Sequence, residues 1–124
     1  MILDSDVIIE VLRGNSATYA WLRAQRAAGI ALSYSPVSRA EIRAGSRPAE
    51  RSAIAALFGT LTAIPIEAST GELAGEQLAK YGKSHGVQMG DALIAASSIE
   101  GANELATFNS RHFPGVPRVV KPDR

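Results

Sequence analysis

The sequence contains no cysteine among its 124 residues. This absence excludes a disulfide framework, a thiolate metal site and a cysteine nucleophile, and it fits a reducing compartment. The two histidines form no ligand pattern that suggests zinc. The chemistry of this chain must therefore come from carboxylates, hydroxyls, amines or imidazoles.

Long apolar runs and an excess of one charge are also missing. No run approaches the roughly 20 apolar residues that cross a membrane, and Asp4, Asp6 and Glu10 stand where a secretory signal would have a basic start. We therefore expect a soluble, cytoplasmic protein. The formal net charge of +1 gives no strong overall attraction to polyanions, so a nucleic-acid partner would have to be held by a local patch or by metal ions.

The composition is that of an ordinary globular chain, with 46% apolar and 20% charged residues. Its length suffices for one sizeable core but not for two. Short apolar runs at residues 2–3, 30–33 and 105–108 alternate with segments of helical periodicity. This alternation predicts an α/β fold, with a mostly parallel central sheet flanked by helices in an α/β/α sandwich, and residues 1–124 forming one domain.

The first apolar run ends at an acid. Ile2 and Leu3 are followed by Asp4, and Ser5 or Asp6 is suited to cap a helix that starts at residue 7. In parallel sheets ligands bind at the carboxyl ends of the strands, where Asp4 and Asn109 would both lie. Asp4 is therefore a candidate site residue. Taken alone, Asp6 is more typical of a helix cap and Asn109 of a turn.

Two further carboxylates have informative positions. The helix that Pro36 opens has an apolar stripe, and Glu41 lies within that stripe, which is formed by Val37, Ala40 and Ala44. A carboxylate on a buried face needs a metal or a nearby arginine as its partner. Asp91 begins a mostly apolar helix, where the helix dipole favours an anion and where a capping role is also common.

Asp4, Glu41 and Asp91 could converge on one rim of the sheet. Their mutual repulsion would be prohibitive there without a cation. Hard divalent ions bind oxygen ligands and keep several waters, so a few carboxylates suffice to hold one. We therefore expect Mg²⁺ or Mn²⁺ as the cofactor.

Four segments, taken in order, resemble the motifs of the PIN-domain ribonucleases. They are residues 3–9 (LDSDVII), 38–42 (SRAEI), 90–96 (GDALIAA) and 105–113 (LATFNSRHF). Their order and spacing match the family across nearly the whole chain. The chain length is similar to that of the VapC-type toxins of bacterial and archaeal toxin–antitoxin pairs.

The resemblance implies a metal-dependent endoribonuclease that hydrolyses RNA with a metal-activated water and leaves a 5′-phosphate and a 3′-hydroxyl. Asp4, Glu41 and Asp91 would be the acids that bind Mg²⁺ or Mn²⁺. Asn109 stands at a fourth catalytic position that is often an aspartate in the family, and it contributes no negative charge. Asp6 would support the site.

The same resemblance implies partners. A cognate VapB-type antitoxin would cover the active site with its C-terminal segment, and the toxin would form a homodimer that assembles with antitoxin into a heterotetramer or a larger complex. The first helix offers a compatible apolar surface, although its residues Ile8, Ile9, Val11 and Leu12 would serve equally well as core.

Three arginines are candidates for contacts with RNA. Arg39 and Arg43 form an i, i+4 pair on the helix that carries Glu41, and Arg111 follows Asn109. Each of them, taken singly, is slightly more typical of a solvated basic surface than of a phosphate contact.

Two other functions stay open. A strand followed by Asp-x-Asp also resembles the haloacid-dehalogenase-like phosphatases, in which Asp4 would be the nucleophile. Those enzymes have a later pair of acids, whereas Ala95 stands four residues after Asp91 here. The neutral Asn109 also permits a non-catalytic PIN-like module that only binds a protein or RNA.

Overall fold

A five-stranded parallel sheet forms the centre of the computed structural model, which describes residues 1–124. The strand order is β3-β2-β1-β4-β5, and every pairing is parallel. The strands are β1 (Ile2–Leu3), β2 (Ser33–Tyr34), β3 (Thr62–Ala63), β4 (Leu105–Ala106) and β5 (Val119–Val120). The predicted α/β fold with a mostly parallel sheet is confirmed, but the second strand was predicted at residues 30–33 and begins three residues later.

Six α-helices surround the sheet. They are α1 (Ser5–Leu12), α2 (Ser16–Ala27), α3 (Pro36–Gly45), α4 (Arg51–Phe58), α5 (Ala68–His85) and α6 (Met89–Glu100), with short 3₁₀ helices at Pro48–Glu50 and Ser110–His112. Ser35 caps α3 by accepting a hydrogen bond from the Val37 N–H at 3.2 Å, and Pro36 occupies the first turn, as expected from the sequence. None of these helices combines the length and the apolarity needed to cross a membrane.

Both faces of the sheet are covered by apolar side chains. Successive residues of a strand point to opposite faces; accordingly Leu3 belongs to the cluster formed with α1 to α4, and Ile2 to the cluster formed with α6. On β4, Ala106 belongs to the first of these clusters and Leu105 to the second. β1 and β4 are therefore apolar at every position, as is typical of strands in a parallel sheet that is buried on both sides.

The register of β1 and β4 sets the position of the site. Ile2 pairs with Leu105 and Leu3 with Ala106, and the Asp4 N–H donates to the Ala106 carbonyl at 2.9 Å. Asp4 and Thr107 consequently leave adjacent strands side by side at the carboxyl edge of the sheet.

The start of α1 differs from the prediction. Asp4 itself is the N-cap, and its Oδ1 accepts a hydrogen bond from the Ser5 N–H at 2.8 Å. Ser5 and Asp6 lie inside the first turn, so the prediction that one of them caps a helix starting at residue 7 was wrong. The helix begins directly after the strand because Asp4, still in an extended conformation, can already serve as its cap.

The predicted buried face of α3 was also wrong. The helix buries Ser38 and Ile42, whereas Glu41 is exposed, as are the two alanines of the expected stripe, Ala40 and Ala44. Alanine removes little apolar area from water, so its spacing determines the orientation of a helix weakly compared with that of an isoleucine. Glu41 is therefore not a core acid paired with an arginine; it lies at the edge of the buried face.

Candidate active site

Asp4 is the most buried acid at the carboxyl edge of the sheet, with 8% of its surface exposed. Its Oδ2 accepts a hydrogen bond of 2.7 Å from the Thr107 hydroxyl, and its Oδ1 caps α1. Thr107, in turn, is 1% exposed and accepts a hydrogen bond from the Asn109 N–H at 2.9 Å. Both oxygens of Asp4 are thus held in place by groups that cannot move independently of the fold.

Asp6 lies next to Asp4 on the first turn of α1. Its Oδ2 accepts a hydrogen bond from the Phe108 N–H at 3.1 Å and lies 3.4 Å from the Thr107 hydroxyl oxygen. Its Oδ1 is buried and has no hydrogen-bond partner. An acceptor without a partner in a buried position is costly unless an additional donor or a cation satisfies it.

Both aspartates are harder to ionise than a free aspartate. Burial, the charge of Asp6 and, to a smaller extent, the charge of Asp91 raise the pKa of Asp4 to about 7, against the opposing effect of the Thr107 and Ser5 hydrogen bonds. Burial also raises the pKa of Asp6, against hydrogen bonds from the peptide around Phe108. The raised pKa values therefore reflect mainly the removal of these carboxyl groups from water, with repulsion from neighbouring acids as a second cause for Asp4.

Glu41 reaches the same edge from α3. Its Oε1 accepts a hydrogen bond of 3.0 Å from the Ser5 hydroxyl, which also contacts the Ser38 Oγ at 2.9 Å. Glu41 is thereby connected to Asp4 through Ser5, the residue between the two aspartates. An ideal Cβ at Gly90 would lie 3.8 Å from Glu41 Oε1, so the start of α6 also approaches this carboxylate closely.

Asp91 and Asn109 meet at His112. Asp91 is the third residue of α6, and its Oδ2 accepts a hydrogen bond from the Gln88 N–H at 3.1 Å. His112 Nδ1 lies 3.5 Å from Asp91 Oδ2 and 2.9 Å from Asn109 Nδ2. Asp91 thus completes a capping box from the third position of the helix, whose N-cap is Gln88, rather than beginning the helix as predicted. It is also close enough to the other acids to influence Asp4.

The three candidate arginines are separated by the structure. Arg39 is occupied locally, because it donates to the Tyr34 hydroxyl at 3.0 Å and lies over the ring of Phe58 at 5.1 Å. Arg43 and Arg111 are exposed and make no side-chain hydrogen bond or salt bridge. Their contribution to RNA binding stays a prediction.

The donor atoms at this edge suit a hard divalent cation. Asp4, Asp6, Glu41 and Asp91 offer carboxylate oxygens only, and one of these, Asp6 Oδ1, is buried without a partner. No three His, Asp or Glu side chains are close enough to form a metal-binding group in their present conformations. The chemistry of the donors fits Mg²⁺ or Mn²⁺, whereas a complete ligand set would need the side chains to approach one another.

Four residues of the site were missed by reasoning from the sequence alone: Ser5, Ser38, Thr107 and His112. Thr107 offered a signal, because it is a hydroxyl residue directly after a buried apolar strand. His112 offered one only through its spacing of three residues from Asn109. The serines carried no signal, since their role depends on α1 and α3 packing together.

A groove of about 640 Å³ lies between α1, α3 and α4 and reaches the site at Glu41. Ile9, Leu12, Ile42 and Ile54 form its apolar part, and Glu41 forms part of its wall. Ile8 is buried in the core, whereas Ile9 and Leu12 are only partly covered. The apolar residues of α1 therefore contribute both to the core, through Ile8, and to the groove, through Ile9 and Leu12.

Comparison with known proteins assigns the chain to a family. Residues 1–119 match the sequence profile of the PIN domain. The chain belongs to the PIN-domain family. Among curated PIN-domain relatives, the Mycobacterium tuberculosis proteins named ribonuclease VapC10 and ribonuclease VapC19 are 37% and 30% identical to this chain. These alignments cover 98% of this chain and 92% and 98% of the relatives.

Solved structures share the PIN fold. The chain matches a VapBC2 complex from Rickettsia felis, bound to a promoter DNA fragment, with a TM-score of 0.81, 21% identity and coverage of 97% of this chain and 96% of that one. A toxin–antitoxin complex from Klebsiella pneumoniae gives a TM-score of 0.78 at 21% identity, with 96% and 94% coverage. At identities this low, the structural similarity establishes the fold alone.

Proposed function

We propose that this PIN domain is an endoribonuclease and the toxin of a toxin–antitoxin pair, hydrolysing RNA phosphodiester bonds with the help of a divalent cation. The observation that carries the proposal is the gathering of Asp4, Asp6, Glu41 and Asp91 at the carboxyl edge of the sheet, where Asp6 Oδ1 is buried without a partner. Asp4 has a pKa raised to about 7 beside Asp6 and Asp91. No lysine or arginine forms a salt bridge with any of these three acids or with Glu41.

The relatives support this choice among the possible chemistries. The two curated relatives are named ribonucleases, and the Klebsiella pneumoniae neighbour is a toxin–antitoxin complex. Membership in the PIN-domain family argues against the dehalogenase-like phosphatase. The hydrogen bonds of Asp4 argue against it as well, because both carboxylate oxygens are engaged, one as the helix cap and one by Thr107.

Asp4, Glu41 and Asp91 would hold Mg²⁺ or Mn²⁺. The bound ion would lower the pKa of the attacking water and neutralise charge on the phosphoryl oxygens. The chain supplies the orientation: Thr107 positions Asp4, Ser5 positions Glu41, and the Gln88 N–H positions Asp91. Such supporting hydrogen bonds fix the direction of a ligand and strengthen its binding.

Asn109 and Asp6 would have different roles. The Asn109 amide nitrogen faces His112, which leaves its carboxamide oxygen to orient the attacking water as a catalytic group. Asp6 would support the site by adding negative charge beside Asp4. Arg43 and Arg111, with exposed side chains, would contact RNA phosphates, and Arg39 would do so only by leaving Tyr34.

A VapB-type antitoxin is the proposed protein partner. The Rickettsia felis and Klebsiella pneumoniae neighbours are complexes of this kind. A segment bound in the groove between α1, α3 and α4 would lie against Glu41. The homodimer, and its heterotetramer or larger assembly with antitoxin, belong to the same proposal.

The test is cleavage of a 5′-labelled structured RNA by protein freed of antitoxin. We expect cleavage with Mg²⁺ or Mn²⁺, none in EDTA, and products with a 5′-phosphate. Asp91→Asn should lower the rate at least about 100-fold, because the ion contributes several kcal/mol to the reaction. Glu72→Gln, which alters an exposed acid on α5, is the control and should cleave normally.

Two results would contradict the proposal. RNA binding without cleavage in any divalent cation would identify a non-catalytic binding module. Full cleavage by both Asp4→Asn and Asp91→Asn would show that these acids do not hold the ion.

A further inference from the structure

The segment after β5, residues 121–124, is attached to the first two helices. Pro122 is buried, and the Asp123 carbonyl accepts a hydrogen bond of 2.8 Å from the Thr18 hydroxyl. Thr18 is itself fully buried at the start of α2. These contacts direct Arg124 back toward the edge of the sheet that carries the acids.

The Arg124 guanidinium lies beside Phe108 and Glu10. Its central carbon is 4.7 Å from the centre of the Phe108 ring, and its Nη2 is 3.5 Å from Glu10 Oε1. The N–H of the same Phe108 donates to Asp6 Oδ2 at 3.1 Å. Phe108 therefore lies between Arg124 and Asp6 in space and contacts both of them. The positive charge of Arg124 opposes the rise in the pKa of Asp6.

Neither contact saturates this guanidinium. More than half of the Arg124 side chain, 57%, is exposed, and exposed ion pairs contribute little to stability. Glu10 also accepts a hydrogen bond from Asn15 Nδ2 at 3.0 Å, so it does not depend on Arg124. A guanidinium carries five N–H donors in a planar fork that suits phosphate. Most of these donors face solvent at the edge of the acidic site.

We propose that Arg124 binds a phosphate of the RNA substrate beside the acidic site, where Phe108 holds the guanidinium in place. The inference rests on the proposed ribonuclease function and adds a residue that none of the four motifs contains. An arginine at this position offsets the repulsion between a polyanion and the neighbouring acids. It thereby helps RNA to approach the edge of the sheet.

Arg118 provides a matched control on the other side of β5. Its Nη2 lies 3.3 Å from Glu104 Oε1, and 66% of its side chain is exposed. The two arginines thus resemble each other in exposure and in pairing with a glutamate. They differ in position, because Arg118 precedes β5 and Arg124 follows it, so only Arg124 lies at the end that carries the acids.

The experiment measures steady-state cleavage of an RNA oligonucleotide and, separately, its binding in EDTA by fluorescence anisotropy. We expect Arg124→Ala to raise KM and the RNA dissociation constant about five- to tenfold while kcat is unchanged. The dependence of RNA binding on salt should weaken by about one phosphate contact. Arg124→Lys should recover part of the affinity, and Arg118→Ala should behave as the wild type does.

Glu10→Gln separates phosphate binding from a purely structural role. If Arg124 served only to pair with Glu10, Glu10→Gln would reproduce the defect of Arg124→Ala; if Arg124 binds phosphate, Glu10→Gln should bind RNA at least as tightly as the wild type. Equal RNA affinity of Arg124→Ala and Arg118→Ala would overturn the inference while leaving the ribonuclease function intact. A wild-type protein that neither binds nor cleaves RNA would overturn both.

Discussion

The two ends of the parallel sheet differ in how far their charged groups are paired. At the amino end, Glu104 pairs with Arg118 at 3.3 Å, and the Met1 ammonium group donates to the Ala31 carbonyl. At the carboxyl end, Asp4 and Asp6 share Thr107 as a neighbour, and each has a raised pKa. One end neutralises its charges within the chain, whereas the other retains an excess of negative charge.

The acids at the carboxyl end reduce the stability of the folded protein, which indicates that they are kept for a function. Buried like charges lower the stability of the folded protein, so a fold retains them only where they serve a purpose or where a bound group compensates them. The hydrogen bonds around Asp4 hold the carboxylate in place without removing its charge. This contrast between the two ends is the basis of the proposal that a cation binds at the carboxyl end.

The largest effect is expected from the pH dependence of stability without metal. Burial, together with the charges of Asp6 and Asp91, raises the pKa of Asp4 from 3.8 to about 7, so the folded state binds this proton more tightly than the unfolded state does. The resulting stabilisation is complete below pH 3.8 and is lost as the pH rises through about 7. Between pH 5 and pH 8 the loss corresponds to about 3 kcal/mol.

Urea unfolding in EDTA at pH 5 and pH 8 measures this effect. Asp4→Asn should remove most of the loss on going to pH 8 and should be more stable than the wild type there. The exposed Asp123→Asn should keep the wild-type pH dependence. An Asp4→Asn protein with an unchanged pH profile would mean that the two ends of the sheet do not differ as described.

A smaller effect is expected from Thr107→Val, which keeps the shape of the side chain but removes the hydroxyl. Asp4 Oδ2 would lose its 2.7 Å hydrogen bond, and the Asn109 N–H would lose its acceptor. Supporting residues of metal sites typically contribute about 10- to 100-fold to affinity or activity. We expect a loss of cleavage in that range, with Thr107→Ser retaining most activity; equal activity in the two variants would exclude this role.

The smallest effect belongs to the amino end. Glu104→Gln breaks an ion pair with an arginine that is mostly exposed, and it should lower the free energy of unfolding by less than about 1 kcal/mol. High salt should reduce the difference further. RNA cleavage should not change. A loss of cleavage in Glu104→Gln would extend the functional region beyond the carboxyl end.

The positions of Asp4 and Asp91 were predictable because each depends on a local pattern. An apolar strand that ends at an acid, and a helix that begins with one, indicate their positions without knowledge of the packing. Asn109 follows from the same argument, since it comes shortly after β4.

Other features required the packed structure. Thr107 contacts Asp4 across 103 positions of sequence, and the sheet register that creates this contact cannot be read from either segment alone. The orientation of α3 was predicted incorrectly because two alanines outweighed Ile42 in the pattern. Glu41 nevertheless reaches the carboxyl edge of the sheet, where Ser5 contacts it, although it is exposed rather than buried.

The most direct test of the account is Mn²⁺ binding, measured by electron paramagnetic resonance or calorimetry on protein without antitoxin or RNA. The account predicts one or more sites whose affinity falls at least about tenfold in Asp4→Asn and in Asp91→Asn, and is unchanged in Glu104→Gln. Equal affinity for Mn²⁺ in all four proteins, or no binding by the wild type, would contradict the claim that the carboxyl end of the sheet is a cation site.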